Sequence, residues 1–366
     1  MTRQIRTVPD PEVPGRYSRR DPDGRVVCEL CPRACRLSEG QRGVCFVRGA
    51  RHGEMVFTSY GRSTGFCIDP IEKKPLYHFL PGSAVLSFGT AGCNLTCKFC
   101  QNWESSRARD VEHASEPASP RGIAAAAVRH GCRSVAMTYN DPVVFFEYAV
   151  DAADACRERG IATVAVTAGY MCPAPRAEFY QRFDAANVDL KAFTERFYRE
   201  LCGGDLATVL DTLVYLRAKT KVWVELTTLL IQGENDDDGE LDEMTRWIVA
   251  NLGADVPLHF SAFHPDFRLL DRPPTPVATL RRARDIARGN GVKHVYLGNV
   301  RDDEGSATTC ASCGVKLIGR SGYQLTSWAL DERGACRACG TPCPGRFDGE
   351  PGTWGNRRRP IEIVEE

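Results

Sequence analysis

The sequence predicts an α/β protein built on a parallel sheet, and three observations carry that expectation. Short apolar, β-branched runs recur between residues 82 and 300. Helical patterns lie between most of them, and such strand–helix units pair in parallel with the helices outside. The chain has 366 residues and is 43% hydrophobic, long and apolar enough to bury a sizeable core.

Taken in order, SAVLSF (83–88) reads as the first strand of this series. A helix is expected over 119–131, with Ser119 as N-cap, Pro120 at the first helical position and Gly131 as the stop. SVAMTY (134–139) is a strand and residues 142–160 a helix ending at Gly160. Further strands are expected at 162–167, 187–192, 221–231, 257–263 and 293–298. Helices are expected near 174–183, 205–219, 239–251 and 275–289. An open doubly wound sheet and a full or partial β/α barrel both fit. No glycine-rich dinucleotide fingerprint follows the first strand, which weighs against the Rossmann form.

The flanks differ in kind. Residues 1–25 lack periodicity and read as a disordered arm, and 348–366 as a disordered tail. Residues 26–80 form an N-terminal cysteine module, 81–300 the β/α domain and 301–347 a glycine- and cysteine-rich module. With 47 Lys+Arg against 47 Asp+Glu, the formal charge is zero. That argues against a nucleic-acid partner held by bulk electrostatics. No run of about 18 apolar residues is present, so no membrane span is expected. The N-terminus carries no apolar secretory stretch, which points to the cytoplasm.

The chain holds 17 cysteines, and in a reducing compartment such cysteines bind metal or do chemistry more often than they form disulfides. Cys93, Cys97 and Cys100 sit in FGTAGCNLTCKFCQNWE, directly after the first strand, where β/α enzymes carry their active-site loops. Three thiolates can bind three irons of a 4Fe–4S cluster and leave the fourth open, and no fourth Cys or His lies within a few residues. At the C-terminus, Cys310-x2-Cys313 and Cys336-x2-Cys339 read as a zinc ribbon, with rubredoxin-like iron as the alternative and Cys343 surplus. At the N-terminus, Cys28, Cys31, Cys35 and Cys45 supply four thiols for zinc or an auxiliary cluster, with zinc slightly favoured. The isolated cysteines are expected to pack as small apolar residues, with Cys67 and Cys202 worth checking for proximity to the central site. His78 and the Lys73-Lys74 pair could cover a barrel mouth and touch a substrate anion, although solvated charges are the blander reading. Glu225 on the fifth strand is a candidate for the barrel interior.

The triad, with Phe99 just before Cys100, resembles the radical SAM superfamily. In finer detail, GCNLTCKFCQNWE, DPIEKKPLYHFLPGS, TYNDPVVFFEY and DLKAFTERFYREL resemble the radical SAM enzyme of the AmmeMemoRadiSam system, a group similar to pyruvate formate-lyase activating enzymes. The resemblance implies a partial (β/α)6-type barrel. It implies S-adenosylmethionine chelated at the open iron and cleaved by one electron to a 5′-deoxyadenosyl radical, which abstracts hydrogen from a substrate. It places Thr138, Asn140 and Asp141 near the cofactor's amino group, Asp189 and Lys191 near its methionine end, and His264 near the ribose. The Gly-Gly-Glu pattern usual at the second strand end is absent here. For Asn140 and Asp141 the competing reading is a capped strand-to-helix turn, and for Asp189 and Lys191 a structural ion pair. The resemblance also implies a reduced flavodoxin- or ferredoxin-type donor and work beside Memo-type and AMMECR-type proteins. The substrate is open. A small molecule is preferred, a glycyl-radical activase is the alternative within the superfamily, and a non-catalytic zinc-stabilised binding protein is the alternative outside it.

Overall fold

A computed structural model describes residues 12–107 and 115–365. The apolar runs become strands close to where they are expected. We number the main-sheet strands β1 (Phe66–Pro70), β2 (Ala84–Phe88), β3 (Ser134–Met137), β4 (Ala162–Thr167), β5 (Ala185–Asp189), β6 (Trp223–Leu230), β7 (Leu258–Ala262), β8 (Val295–Gly298) and β9 (Arg359–Ile361). The long helices are α1 (Pro120–Arg129), α2 (Phe146–Glu158), α3 (Pro173–Tyr180), α4 (Leu206–Lys219), α5 (Asp238–Asn251) and α6 (Val277–Gly289).

The strands lie side by side in the order β8-β7-β6-β5-β4-β3-β2-β1-β9. From β2 to β8 every neighbour is parallel, while β1 and β9 extend the β2 edge in antiparallel fashion. The order never reverses, so no doubly wound switch point exists. Parallel strands joined in sequential order take crossovers of one hand, which puts their helices on one face of the sheet. Six strand–helix units followed by β8 make the partial barrel that the sequence predicts.

Local chemistry explains the boundaries. Ser119 caps α1 by accepting the Gly122 N–H at 3.0 Å, with Pro120 at the first position. The run at 142–160 divides into a 3-10 turn over Pro142–Phe145 and then α2, because Asp141 caps the Val143 N–H rather than a full α-turn. β5 ends at Asp189, earlier than expected, so Lys191 stands just past the strand.

Both flanks correct the sequence reading. Of the expected arm, residues 1–11 lie outside the described residues, but 13–14 and 18–20 pair with 56–57 and 26–28 as strands. The tail is also ordered over 348–365. β9 pairs with β1, and the Glu365 carboxylate accepts the Ser119 N–H and hydroxyl at 2.6 and 2.5 Å. These segments bury edges and cap a helix, roles carried by backbone partners rather than by a hydrophobic pattern.

The end of the barrel at the strands' N-termini is plugged by a polar network. Glu225, fully buried, accepts the N–H groups of Tyr77 and His78 at 3.0 and 2.8 Å and faces His259 Nε2 at 2.7 Å. His78 bonds Tyr296 Oη at 2.5 Å and the Pro344 carbonyl at 2.6 Å. The expectation that His78 guards the mouth therefore fails: its partners tie it to the opposite end. The Arg320 guanidinium stacks 4.2 Å over Tyr77 and donates to its carbonyl, joining the C-terminal module to this floor.

Candidate active site

The loop after β2 is held from both sides. Asn140, just past β3, accepts the Thr90 N–H at 3.0 Å and donates to the Gly92 carbonyl at 2.6 Å. Gly89 is needed for this approach, since a Cβ there would stand 2.2 Å from the Thr138 carbonyl. Asp141 is equally occupied, accepting from Val143 N, Thr167 Oγ1 and Ala168 N at 3.0, 3.0 and 2.9 Å. Burial pushes its carboxyl up, partly offset by those donors. The two side chains thus shape the turn and the loop, as the capping reading anticipates. Thr138 is buried between them and β2. Tyr139 adopts a left-handed φ of 71°, a backbone strain of the kind that clusters at functional sites.

Burial pushes the Cys93 thiol up to about 12, and that thiol donates to Asn94 Oδ1 at 3.8 Å. Cys100 lies 3.2 Å from Ser106 Oγ. The Cys97 thiol is drawn down to about 7, first by the neighbouring Cys202 thiol, with Lys191 adding positive charge. Cys202 is fully buried. It ends a π-turn over Tyr198–Cys202, whose carbonyls at 201 and 202 accept the N–H groups of Lys98 and Thr96 at 2.8 and 2.7 Å. Such turns recur at functional sites.

Asp189 and Lys191 form a 2.7 Å ion pair beside this group. Burial opposes charge on Lys191, but Asp189 and the sulfurs of Cys97 and Cys202 outweigh it and raise its pKa. Phe99 is buried against Phe197, with ring centres 5.5 Å apart. His264 is exposed and meets Gln101 Nε2 at 2.9 Å, while Asp266 accepts from the Trp103 indole at 3.0 Å. The structure thus gathers Phe99, Thr138, Asn140, Asp141, Asp189, Lys191 and His264 around the cysteine loop.

A cavity of about 1020 Å³ opens beside that loop, lined by Gln101–Ser105, Cys67, Tyr139 and Arg358 among others. Behind Tyr139, Asp69 accepts from Lys73, Lys74 and the Tyr139 hydroxyl at 2.9, 2.8 and 3.1 Å. Lys74 is buried, which lowers its pKa to about 8 although Asp69 opposes the shift. This is a charged wall, not the solvated pair of the bland reading.

Among the described residues, Cys310, Cys313, Cys336 and Cys339 form a donor set whose ligand atoms all lie within 4.8 Å of one another. Its sulfurs pair at 3.6 and 3.7 Å, the separation set by a single tetrahedral ion with bonds of about 2.3 Å. Cys343 stands outside the set, near His78. Cys28, Cys31, Cys35 and Cys45 surround a separate small cavity.

Comparison with known proteins agrees with this arrangement. Residues 88–245 match the radical SAM superfamily model. An uncharacterized protein of Methanocaldococcus jannaschii is 39% identical over 319 residues, covering 87% of this chain and 95% of that protein. Residues 88–245 are a radical SAM superfamily domain.

Solved radical SAM structures are more distant. A domain of a pyruvate-formate lyase-activating enzyme from Bacteroides vulgatus is 15% identical, with a TM-score of 0.41 over 45% of this chain and 99% of that one. A radical SAM methyltransferase from Sphaerobacter thermophilus is 16% identical, with a TM-score of 0.47 over 60% and 67% of the two chains. Superfamily membership implies a 4Fe–4S cluster, S-adenosylmethionine and a reduced electron donor. No helix among the described residues of this radical SAM protein is long and apolar enough to cross a membrane. Gln101 and Tyr139 stand inside the quoted motifs without having been singled out, while Arg358 was hidden because no motif spacing links it to them. Cys202 carried a signal only as one more unassigned thiol.

Proposed function

We propose that this protein cleaves S-adenosylmethionine reductively at a 4Fe–4S cluster held by Cys93, Cys97 and Cys100, and abstracts hydrogen from a small molecule. The donor set supports the cluster. Three thiols lie on one loop directly after β2, with Ser106 Oγ 3.2 Å from Cys100 and the Asp189–Lys191 ion pair beside Cys97. When bound, the cluster and S-adenosylmethionine supply one electron and a 5′-deoxyadenosyl radical. The chain's own part is to hold and shield. Asn140 and Asp141 fix the loop, Asp189 and Lys191 present paired charges beside it, and Phe99 and Thr138 wall it. His264 orients Gln101 at the cavity rim.

The cavity beside the loop is the observation that carries the small-molecule reading: at about 1020 Å³ it stands at the upper end of the size of small-ligand sites. The finer family resemblance supports work beside Memo-type and AMMECR-type proteins, with electrons from a flavodoxin- or ferredoxin-type donor. The four C-terminal thiols would hold zinc as a structural ion.

The test is anaerobic. Iron-loaded protein with dithionite and S-adenosylmethionine should yield 5′-deoxyadenosine and methionine; no product from loaded, reduced protein rejects the reaction. Stimulation of that yield by the low-mass fraction of a cell extract is expected. Stimulation by the protein fraction alone would instead favour a glycyl-radical activase.

A further inference from the structure

The N-terminal thiols differ from the C-terminal set in a way that bears on what they bind. Cys28, Cys31, Cys35 and Cys45 line one cavity of about 20 Å³. That space exceeds what a water needs, yet a water also needs two to four polar partners. Here Leu30, Leu37, Val44, Val143 and Val144 supply much of the rest of the wall. A single zinc ion would draw its four sulfurs together, as at Cys310, Cys313, Cys336 and Cys339, where all fall within 4.8 Å. Thiolates on the corners of a cubane cluster stand further apart, because each binds a different iron.

The position is equally informative. The carbonyl of Cys45 lies where a Cβ on Gly92 would come within 2.0 Å, so the N-terminal loop touches the residue before Cys93. Asn94 lines the N-terminal cavity, and the Cys93 thiol donates to its side-chain oxygen at 3.8 Å. Arg33 spans the two sites, donating to the carbonyls of Asn94 and Gly203. Arg48, buried and lining the same cavity, is held by Glu147 at 2.8 Å, which ties the cavity wall to α2.

We propose that Cys28, Cys31, Cys35 and Cys45 bind an auxiliary 4Fe–4S cluster that relays electrons to the catalytic centre. A low-potential one-electron donor protein reduces the auxiliary cluster by one electron. That electron passes to the cluster at Cys93, Cys97 and Cys100, returning the auxiliary cluster to its oxidised state. All four auxiliary irons carry protein thiolates, so none is open to S-adenosylmethionine. The role as a relay rests on the proposed function, but the site does not.

The experiment uses the full chain. Wild-type protein reconstituted with iron and sulfide should hold about eight irons, and the C93A/C97A/C100A variant about four. The four retained irons should give a reduced-cluster paramagnetic resonance signal that S-adenosylmethionine leaves unchanged. In wild type, a second signal should shift with S-adenosylmethionine. If the triple variant retains zinc and no iron, the auxiliary cluster is overturned while the catalytic reading stands. If the triple variant keeps all the iron of wild type, the catalytic reading fails instead. Should that variant not fold, wild-type iron of about four, with a signal that responds wholly to S-adenosylmethionine, overturns the proposal.

Discussion

The central and C-terminal cysteine groups use the same side chain for opposite ends. At the C-terminus, paired sulfurs stand 3.6 and 3.7 Å apart, with Cys313 and Cys339 exposed in a module of few buried residues. At the centre, the thiols lie on a loop clamped by Asn140, with Cys202 and Lys191 at Cys97 and a large cavity alongside. The first arrangement has the spacing for a single ion, which would stabilise a small fold. The second fixes its ligands by external supports and leaves a face for reaction. Geometry and surroundings, rather than cysteine content, separate a staple from a reactive centre.

Paired substitutions give the largest test of that contrast. Cys97→Ser should reduce 5′-deoxyadenosine formation to background with little change in zinc content. Cys336→Ser should release zinc and lower the melting temperature of the C-terminal module while S-adenosylmethionine cleavage continues. Equal loss of cleavage in both would break the distinction. A smaller effect is expected from Lys191→Met, which removes the charge beside Cys97. Cleavage should slow about 10- to 100-fold, as for outer-shell partners of metal ligands, with unchanged iron content. An unchanged rate would reduce the Asp189–Lys191 pair to a structural role.

The smallest effect is acid sensitivity of the barrel floor, remote from both groups. Burial lowers the His78 pKa to about 3, below the ordinary 6.5. Glu225 is lowered to about 2, where the His259 hydrogen bond and charge overcome the burial that would raise it. Both folded-state values are depressed, so the unfolded chain binds more protons. The His78 contribution is present above pH 6.5 and is lost as pH falls toward about 3, and that of Glu225 is lost from 4.5 toward about 2. Between pH 6 and 5, denaturant unfolding should lose up to about 1.4 kcal/mol per pH unit for His78, and His78→Gln should flatten that slope. A slope unaltered by the substitution would remove His78 from the account.

How much was legible depends on the range of the interaction. The β4 strand was readable at its full extent, 162–167, because a short, nearly continuous buried run rich in β-branched residues is a local signal. Ser119 was readable as a cap for the same reason. The ordered tail was not, because β9 is held by hydrogen bonds to β1, nearly 300 residues earlier in the chain, and its own composition is polar. His78 was misplaced because a histidine beside two lysines looks like a surface group until Tyr296 and Pro344 are seen to bury it. Asn140 and Asp141 were candidates in the sequence, but their bonds to Gly92 and Ala168 became visible only in three dimensions.

By itself the sequence determined the alternation of strands and helices, the three cysteine groups and the chemistry that thiol spacing permits. These follow from contacts within a turn or two of chain. Tertiary structure decided which thiols stand close enough for one ion, which surround a cavity, and that Cys202 lies beside Cys97. It also set Arg358 against the cavity and the N-terminal loop against Gly92. The physical reason is that sulfur separation, burial and charge pairing are properties of distance in space, and chain folding sets those distances between residues that share no local pattern.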